Sequence, residues 1–575
     1  FNMGKVIEEN KVELDLESLS MHTFISGATG SGKSNTIYHL LNKLMIEDIN
    51  FMVIEPAKGE YKKVLGHRKD VRVFGTNPNL TELLRINPFR FPKEIHVLEH
   101  IDRLIEIFNV CWPMYAAMPA ILKEAIIQSY KKCGWDLDLS INLEKDSFFP
   151  TFIDLLEELK NVIKLSEYSE EVKANYVGSL TTRVKSLTNG LNGQIFSSKE
   201  IDNEILFDTN VIVDLSRIGS QETKSLLMGI LVMRLSEYRM STSKTSNRKL
   251  HHITVLEEAH NILRAKNSVS SVEGSNVAEK AVEMISNAIA EMRTYGEGFI
   301  IADQSPSAVD ISAIRNTNTK IIMRLPEEND RKIAGKSAAL KDEQINEIAR
   351  LPKGVAVVYQ NDWIEAVLCQ INKFDGEEKE YNYKDEEIYN EKKKINSTLI
   401  NFILNNRLDS PDKINQKEVE DAIENVEGST QLKIELLSLL NQYRRDGKLK
   451  LWQNDEEKAN LFKQSIIVKN ILELDDVVKE FRYKTFSVQE PDYVLNTLID
   501  QKIEKFNTEI LLEIKECLIR SYIDDNRNIT EEEMYNALEK VNLKDFVEEH
   551  GGLDYELSIG AANLSGGQKQ RLLAA

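Results

Sequence analysis

The chain has 575 residues, a hydrophobic fraction of 42% and a formal net charge of −19 at pH 7. That length is too great for a single hydrophobic core, so it predicts several domains. The acidic balance excludes a protein that coats nucleic acid through its overall charge, and any contact with nucleic acid needs a local basic patch.

Cysteine spacing and hydropathy indicate the cellular compartment of the protein. The four cysteines lie far apart, with neither metal-ligand spacing nor a dense disulfide framework, which favours a reducing cytoplasm. No apolar run approaches the roughly 20 residues of a spanning helix, and residues 1–10 carry no signal-peptide segment. We expect a cytoplasmic protein without integral membrane contact. The chain begins at Phe1 without an initiator Met and ends inside a motif, so we expect a fragment of a longer chain.

From residue 21 to about residue 373, short apolar segments alternate with longer segments of helical periodicity. This alternation predicts an α/β fold with a central, mostly parallel sheet covered by helices. Several of the segments are apolar throughout, which is typical of strands buried on both faces. The predicted strands are 22–26, 51–55, 71–74, 211–215, 253–257, 298–303, 320–325, 355–359 and 363–369.

Helical periodicity replaces the strands between about residues 92 and 206, which predicts a helical insertion within the first domain. We expect that domain to span residues 1–376. The charged stretch after Asp375 is typical of a solvated linker or helix face. A helical C-terminal region is expected at 377–527, followed by a distinct tail at 528–575.

A glycine-rich motif, GATGSGKS at residues 27–34, follows the first predicted strand and precedes a helical segment. It matches the phosphate-binding loop G-x-x-x-x-G-K-[ST], in which backbone amides and a helix N-terminus surround phosphates. Lys33 would reach the β- and γ-phosphates of ATP, and the Ser34 hydroxyl would bind Mg²⁺. An ordinary glycine-rich turn is the alternative. The predicted ATP-binding residues are Gly27, Ala28, Thr29, Gly30, Ser31, Gly32, Lys33, Ser34 and Asn35.

Hydrolysis requires acids near the phosphates, and ITVLEEAH at residues 253–260 places two acids at the end of a predicted strand. Glu257 is the candidate Mg²⁺ ligand. Glu258 is the candidate general base, which takes a proton from the attacking water. The alternative is that both acids begin a solvated helix, because acids favour helix N-termini.

Three further polar residues are candidates for contact with the nucleotide. Gln304 follows the predicted strand 298–303, at the edge where open α/β sheets bind ligands, and would contact the γ-phosphate or the water. A loop-capping glutamine is its alternative. Arg293 and Arg315 are candidate arginine fingers that act on a neighbouring subunit's nucleotide. Arg293 would otherwise complement a helix dipole.

Six ordered segments resemble the HerA branch of the HerA–FtsK superfamily, which includes DUF87-type bacterial ATPases. They are HTFISGATGSGKS, VIEPAKGEY, VIVDLSRI, VLEEAHNIL, RTYGEGFIIADQSPS and NTNTKIIMRL, within about residues 4–373. The resemblance implies a RecA-like P-loop NTPase that assembles as a homo-hexameric ring and pumps double-stranded DNA through its channel. In that family, the residue matching Glu258 acts as the general base and the residue matching Gln304 as a γ-phosphate sensor. The residue matching Arg293 acts as an arginine finger on the nucleotide of a neighbouring subunit.

The sequence departs from the family at two points. Most members carry Asp where this chain has Glu257, whose longer side chain can still hold Mg²⁺ through water. The family's small N-terminal β-barrel has no counterpart here, which favours truncation. Candidate contacts to DNA phosphates are Lys58, Lys62 and Lys63, with solvated surface lysines as the alternative.

The tail contains LSGGQKQR at residues 564–571, which resembles the signature motif of ABC transporter ATPases. In those dimers, the residues matching Ser565 and Gly567 contact the γ-phosphate held by the opposite subunit. An ABC domain also needs its own phosphate loop upstream and an acidic strand downstream, and neither lies near this motif. We expect a truncated or artificially joined segment without function here.

Three functions fit these observations. The first is a HerA-like DNA translocase or helicase, which would feed DNA to a partner nuclease. The second is a motor of the type IV secretion or conjugation class, and the third is an ATP-dependent assembly switch. Glu258 together with Gln304 favours turnover over a passive switch, and the lack of a membrane-anchoring segment favours the first function over the second.

Overall fold

The structure of the chain is a computed structural model. It describes residues 11–112, 114–115, 117–243, 248–265, 273–381, 383, 387–404, 414–447, 449, 467–472, 499, 502–504, 508–525, 531–550, 552–554, 564–565, 568 and 572. The chain divides into two compact units, Phe1–Asp385 and Glu386–Ala575.

The first unit is built on a ten-stranded sheet with the order β12-β11-β10-β1-β9-β8-β2-β7-β3-β4. Every pairing from β10 to β4 is parallel, whereas β11 and β12 are antiparallel at one edge. The predicted RecA-like α/β fold with a mostly parallel sheet is therefore confirmed. The sheet strands are β1 Thr23–Ser26, β2 Asn50–Glu55, β3 Val71–Gly75, β4 Glu82–Leu83, β7 Asn210–Asp214, β8 His252–Glu257, β9 Glu297–Asp303, β10 Thr319–Ile322, β11 Val355–Gln360 and β12 Val367–Gln370.

The central strands are buried on both faces, which explains why their sequences are apolar throughout. In β2, Met52 and Ile54 lie in the core shared with the helical insertion. Phe51 and Val53 lie in the opposite core, together with Ile37 of the helix that follows β1. Successive residues of a strand point to opposite faces, so a strand covered on both sides must be apolar at every position.

Helices of the first unit cover this sheet, and the described residues of the second unit are mostly helical. They are α1 Leu16–Ser20, α2 Lys33–Ile46, α3 Tyr61–Val64, α4 Val97–Cys111, α5 Met118–Lys132, α6 Phe152–Leu165, α7 Glu170–Tyr176, α8 Thr182–Thr188, α9 Gly190–Ile195, α10 Asn203–Asp208, α11 Gln221–Thr242, α12 Glu273–Glu291, α13 Ile311–Arg315, α14 Glu328–Ser337, α15 Asp342–Glu347, α16 Glu387–Leu404, α17 Gln416–Asn425, α18 Thr430–Asp446, α19 Thr508–Asp525, α20 Glu531–Lys540 and α21 Lys544–Glu549. None of the described helices is long and apolar enough to cross a bilayer.

The helical segment between β4 and β7 consists of α4 to α10, with a π-helical turn at Val177–Thr181 between α7 and α8. It also contains a short antiparallel hairpin, β5 Trp135–Asp136 and β6 Ile141–Asn142, which the periodicity does not predict. Helix α4 buries His100, Leu104 and Phe108. These elements share one hydrophobic core with α11 and one face of the sheet, so the segment packs as part of the first unit.

Two predicted strands are at least two residues shorter in the structure. The strand predicted at 320–325 spans Thr319–Ile322, and the two residues after it still hydrogen-bond to Ser26 and Ala28. The strand predicted at 363–369 begins only at Val367, because a turn that Trp363 N closes onto Gln360 O precedes it.

In the second unit, α17 and α18 begin with side-chain caps from Asn415 and Ser429, and α18 ends at Gly447 in a left-handed conformation. In the tail, the Ser565 amide donates to Gln568 Oε1 at 2.9 Å, and the Gln568 amide donates to Ser565 Oγ at 3.2 Å. Gly567 lies outside the described residues.

Candidate nucleotide site

The glycine-rich loop connects β1 to α2 in a conformation that requires glycine at defined positions. Gly30 and Gly32 have φ angles of 77° and 111°, which side chains of L-residues disfavour. A Cβ at Gly27 would lie 2.5 Å from Ser31 Oγ, so that position has no room for a side chain. Neighbouring segments anchor the loop: the Ala28 amide donates to Arg324 O at 2.9 Å, and the Gly354 amide donates to Ser31 O at 2.8 Å.

The turn into α2 presents a donor set suited to phosphate. Within the described residues, the backbone amides of Gly32, Lys33 and Ser34 have no hydrogen-bond acceptor. The first amides of a helix have no partner inside the helix, and its dipole favours an anion there. The side chain of Asn35 donates to Asn372 O at 3.0 Å and accepts from the Phe374 amide at 2.9 Å, and its contact with ATP stays a prediction. These two hydrogen bonds hold the segment after β12 against α2.

Lys33 and Glu257 are brought together although they lie far apart in the sequence. Lys33 Nζ donates to Glu257 Oε2 at 2.7 Å and lies 4.0 Å from Glu258 Oε1. The side chains of Lys33 and Glu257 are only 9% and 8% exposed. The lysine of the loop therefore reaches the end of β8, and the loop and the acids line one edge of the sheet.

Glu258 and Gln304 contact each other directly. Gln304 Nε2 donates to Glu258 Oε1 at 2.5 Å, and Thr29 Oγ1 of the loop donates to Gln304 Oε1 at 2.7 Å. Glu258 has a left-handed backbone with φ of 48°, which costs about 1–3 kcal/mol for a residue with a side chain. It caps a 3₁₀ turn, Ala259–Asn261, and does not begin the solvated helix that was the alternative.

Sequence reasoning did not single out Asp303 and His260, which complete this edge. The His260 amide and Nδ1 both lie 2.9 Å from Asp303 Oδ2. The hydrogen bond that His260 donates to Asp303 raises the pKa of His260. Burial alone would raise the pKa of Asp303, but the hydrogen bonds that it accepts from His260 lower it. Ligand atoms of Glu258, His260 and Asp303 lie within 4.8 Å of one another and could hold a metal ion. The signal was present in the sequence, since both residues belong to segments that carry Glu258 and Gln304.

A second layer of charged and polar groups lies behind Glu257 at the ends of β2 and β7. Tyr61 of α3 donates its hydroxyl to Glu257 Oε1 at 2.6 Å. Glu55 accepts hydrogen bonds from the amides of Glu60 and Tyr61, and burial raises its pKa to about 8. Lys62 forms a buried ion pair with Asp214.

The candidate DNA-binding lysines differ in their exposure. The ammonium group of Lys62 forms a buried ion pair with Asp214, so a contact with DNA would require this pair to open. Lys58 and Lys63 are exposed, and their contact with DNA stays a prediction.

The two candidate arginine fingers lie at the opposite edge of the sheet. Arg293 is exposed in the 3₁₀ turn Met292–Tyr295, directly before β9. Arg315 is exposed at the end of α13, shortly before β10. Because β9 and β10 run parallel to β1, their starts lie at the edge opposite the glycine-rich loop of the same chain.

The chain is similar to several known proteins. Residues 1–235 match the family described as helicase HerA, central domain. The chain is 26% identical over 378 residues to the DNA double-strand break repair helicase HerA of Sulfolobus acidocaldarius, covering 65% of this chain and 69% of that protein. The structure of VirB4 of Thermoanaerobacter pseudethanolicus is similar with a TM-score of 0.47 and 16% identity, over 62% of this chain and 90% of that chain. The resemblance to HerA-like P-loop ATPases is confirmed.

Over 46 residues, the chain is 56% identical to an uncharacterized ABC transporter ATP-binding protein of Haemophilus influenzae, which covers 8% of each chain. This match is in keeping with the resemblance of the tail to the ABC signature region. The chain thus combines similarity to two classes of ATPase over segments of very different length.

Proposed function

We propose that this HerA-like ATPase couples the hydrolysis of ATP to the translocation of double-stranded DNA. The observation that carries the proposal is the meeting of three parts at one sheet edge: the loop after β1, the acids after β8 and Gln304 after β9. Hydrolysis of a γ-phosphate needs a loop that binds phosphate, an acid that accepts a proton and an amide between them.

Nucleotide binding would rest on the loop and on Lys33. The amides of Gly32, Lys33 and Ser34 would surround the phosphates, and the ammonium group of Lys33 would move from Glu257 to the β- and γ-phosphates. Ser34 and Glu257 would hold Mg²⁺, which stabilises the charge that develops on the transferred phosphoryl group. Their oxygen donors are those that Mg²⁺ prefers.

Glu258 would act as the general base. Its carboxylate receives one hydrogen bond from Gln304 at 2.5 Å, which orients it at the edge where the loop ends. The proton of the attacking water would pass to Glu258 as the oxygen attacks the γ-phosphorus. Gln304 contacts both Thr29 and Glu258, so a change in the loop on loss of the γ-phosphate would reach the base through this one side chain.

Assembly into a homo-hexamer would complete the site. Arg293 and Arg315 lie at the edge opposite the loop of their own chain, so either would approach a nucleotide only from a neighbouring subunit. Lys58 and Lys63 would contact DNA phosphates, and a nuclease would be the partner that receives the DNA. Similarity to the DNA double-strand break repair helicase HerA of Sulfolobus acidocaldarius supports DNA as the substrate.

ATP turnover by the purified chain, with and without duplex DNA, tests the proposal. We expect duplex DNA to stimulate turnover, and Glu258→Gln to lower it by about 10²–10⁴-fold while ATP binding is retained. Turnover that duplex DNA leaves unchanged would contradict translocation. Turnover that survives E258Q would contradict the assignment of the base.

A further inference from the structure

Tyr61 lies directly behind the acid assigned to Mg²⁺. Its hydroxyl donates to Glu257 Oε1 at 2.6 Å, whereas Lys33 donates to Glu257 Oε2 at 2.7 Å. Each oxygen of this carboxylate therefore has its own donor. One donor belongs to the phosphate-binding loop and the other belongs to α3, which follows β2.

Three separate contacts fix the position of Tyr61. Its backbone amide donates to Glu55 Oε2 at 3.2 Å, and its ring packs edge-on against Tyr38 of α2 with centroids 4.9 Å apart. The third contact is the hydroxyl itself, which donates to Glu257 Oε1 at 2.6 Å. The backbone amide, the ring and the hydroxyl of this buried residue are therefore all held in place.

The two donors have different fates when a nucleotide binds. Lys33 must turn towards the phosphates, which removes one of the two contacts that hold Glu257. A glutamate has one more rotatable bond than an aspartate, so without a second anchor its carboxylate would sample several rotamers. The Tyr61 hydroxyl donates to the other oxygen of Glu257, so it need not move when Lys33 does.

We propose that Tyr61 is a positioning residue that holds Glu257 in the orientation required to bind Mg²⁺ with ATP. This inference rests on the proposed function, because it assigns Mg²⁺ to Glu257. Groups that hydrogen-bond a metal ligand from behind fix its orientation, and their loss lowers metal affinity by about 10–100-fold. A glutamate at this position is thus compatible with a defined metal site because tyrosine restrains it.

The test compares equilibrium affinity for ATP with and without Mg²⁺ in the full chain and in Tyr61→Phe. Phenylalanine keeps the ring that packs on Tyr38 and removes only the hydroxyl. We expect the gain in ATP affinity that Mg²⁺ provides to fall about 10–100-fold, while Mg²⁺-free affinity stays within about twofold of the parent chain. Tyr38→Phe is the matched control, because within the described residues the Tyr38 hydroxyl has no hydrogen bond to Glu257.

A double-mutant cycle separates positioning from a structural effect. If Tyr61 acts through Glu257, then adding Y61F to Glu257→Gln changes the Mg²⁺-dependent gain no further. An undiminished effect of Y61F in the E257Q background would overturn the proposal, as would a Y61F chain with the full Mg²⁺ gain. A parallel loss in Y61F of Mg²⁺-free affinity and of the thermal midpoint would assign Tyr61 a structural role instead.

The readout is binding, so it is independent of turnover. A parent chain that binds ATP more tightly with Mg²⁺ but does not hydrolyse it would contradict the proposed function. The test of Tyr61 would remain valid in that case. A parent chain with no Mg²⁺ gain would overturn the role of Tyr61 while leaving hydrolysis to be measured by itself.

Discussion

Lys33 Nζ and Glu257 Oε2 form a buried ion pair at 2.7 Å. The lysine that would grip the phosphates of ATP already has an anionic partner in its own chain. On the proposed function, an incoming phosphate would compete with Glu257 for Lys33, and Mg²⁺ would compensate the carboxylate that Lys33 leaves. Nucleotide binding and metal binding would then depend on each other.

Replacing the competing carboxylate should favour Mg²⁺-free nucleotide. Glu257→Gln removes the negative charge and leaves a buried lysine in need of an anion, so we expect ATP to bind about tenfold more tightly without Mg²⁺. Titration with a fluorescent ATP analogue in EDTA measures this. Glu258→Gln is the control, because Glu258 lies 4.0 Å from Lys33 and should have a smaller effect. Weaker Mg²⁺-free binding by E257Q would refute the competition.

Removing the lysine should weaken the binding of ATP. Lys33→Ala is expected to lower ATP affinity by about 100-fold, because a charge-assisted hydrogen bond to phosphate contributes about 1.5–3 kcal/mol and Lys33 would form more than one. Circular dichroism should show an unchanged fold. Lys43→Ala, an exposed lysine on the same helix, should bind ATP as the parent chain does. Tight binding by K33A would contradict the site assignment.

Gln304 is expected to matter for turnover more than for binding. Gln304→Ala removes the donor to Glu258 and the acceptor for Thr29, so we expect kcat to fall by about 10–100-fold with little change in ATP affinity. Thr29→Val removes only the contact between the loop and Gln304 and should lower kcat less. Equal losses in the two variants would show that the Thr29 contact carries the effect.

The sequence was most informative about the elements that carry their own pattern. The phosphate-loop motif occurs between an apolar strand and a helix, and β1 and α2 occupy those positions. The short strands β4, β5 and β6 have two residues each, which is too few for any alternation to be detected. Local pattern therefore predicts the long buried strands and misses the short ones.

Contacts between distant segments could not be predicted from local pattern. The sheet order places β9 between β1 and β8, which is why Gln304 lies between the loop and Glu258. The hydrogen bond from Tyr61 to Glu257 joins residues 196 positions apart, and no spacing rule connects them. The burial of Lys62 against Asp214 is of the same kind, because a lysine in a hydrophilic segment gives no sign of a buried partner.

His22 should make stability depend on pH. Burial lowers its pKa from 6.5 to about 4, so between these values the unfolded chain binds a proton that the folded chain does not. The contribution of neutral His22 to the free energy of unfolding is therefore complete above about pH 6.5. It falls by ~3 kcal/mol as the pH drops to 4. In urea unfolding between pH 7.5 and 4.5, we expect His22→Asn to lose less stability than the parent chain.

Asparagine suits this test for two reasons. His22 has a φ of 68°, a conformation that asparagine tolerates better than most residues. The Phe299 amide donates to His22 Nδ1 at 3.0 Å, and an asparagine side chain also offers an acceptor. Identical pH slopes for the two chains would contradict the assignment of this acid sensitivity to His22.

The arginine fingers can be tested by mixing subunits. Arg293→Ala should lower kcat by about 10³-fold or more if Arg293 stabilises the transition state in a neighbouring subunit. In a mixture with Glu258→Gln, some sites combine an intact Glu258 from one chain with an intact Arg293 from the next. We expect such a mixture to turn over ATP faster than either variant alone. The same mixture made with Arg315→Ala identifies which arginine acts, and a mixture no faster than its components for both arginines would contradict action between subunits.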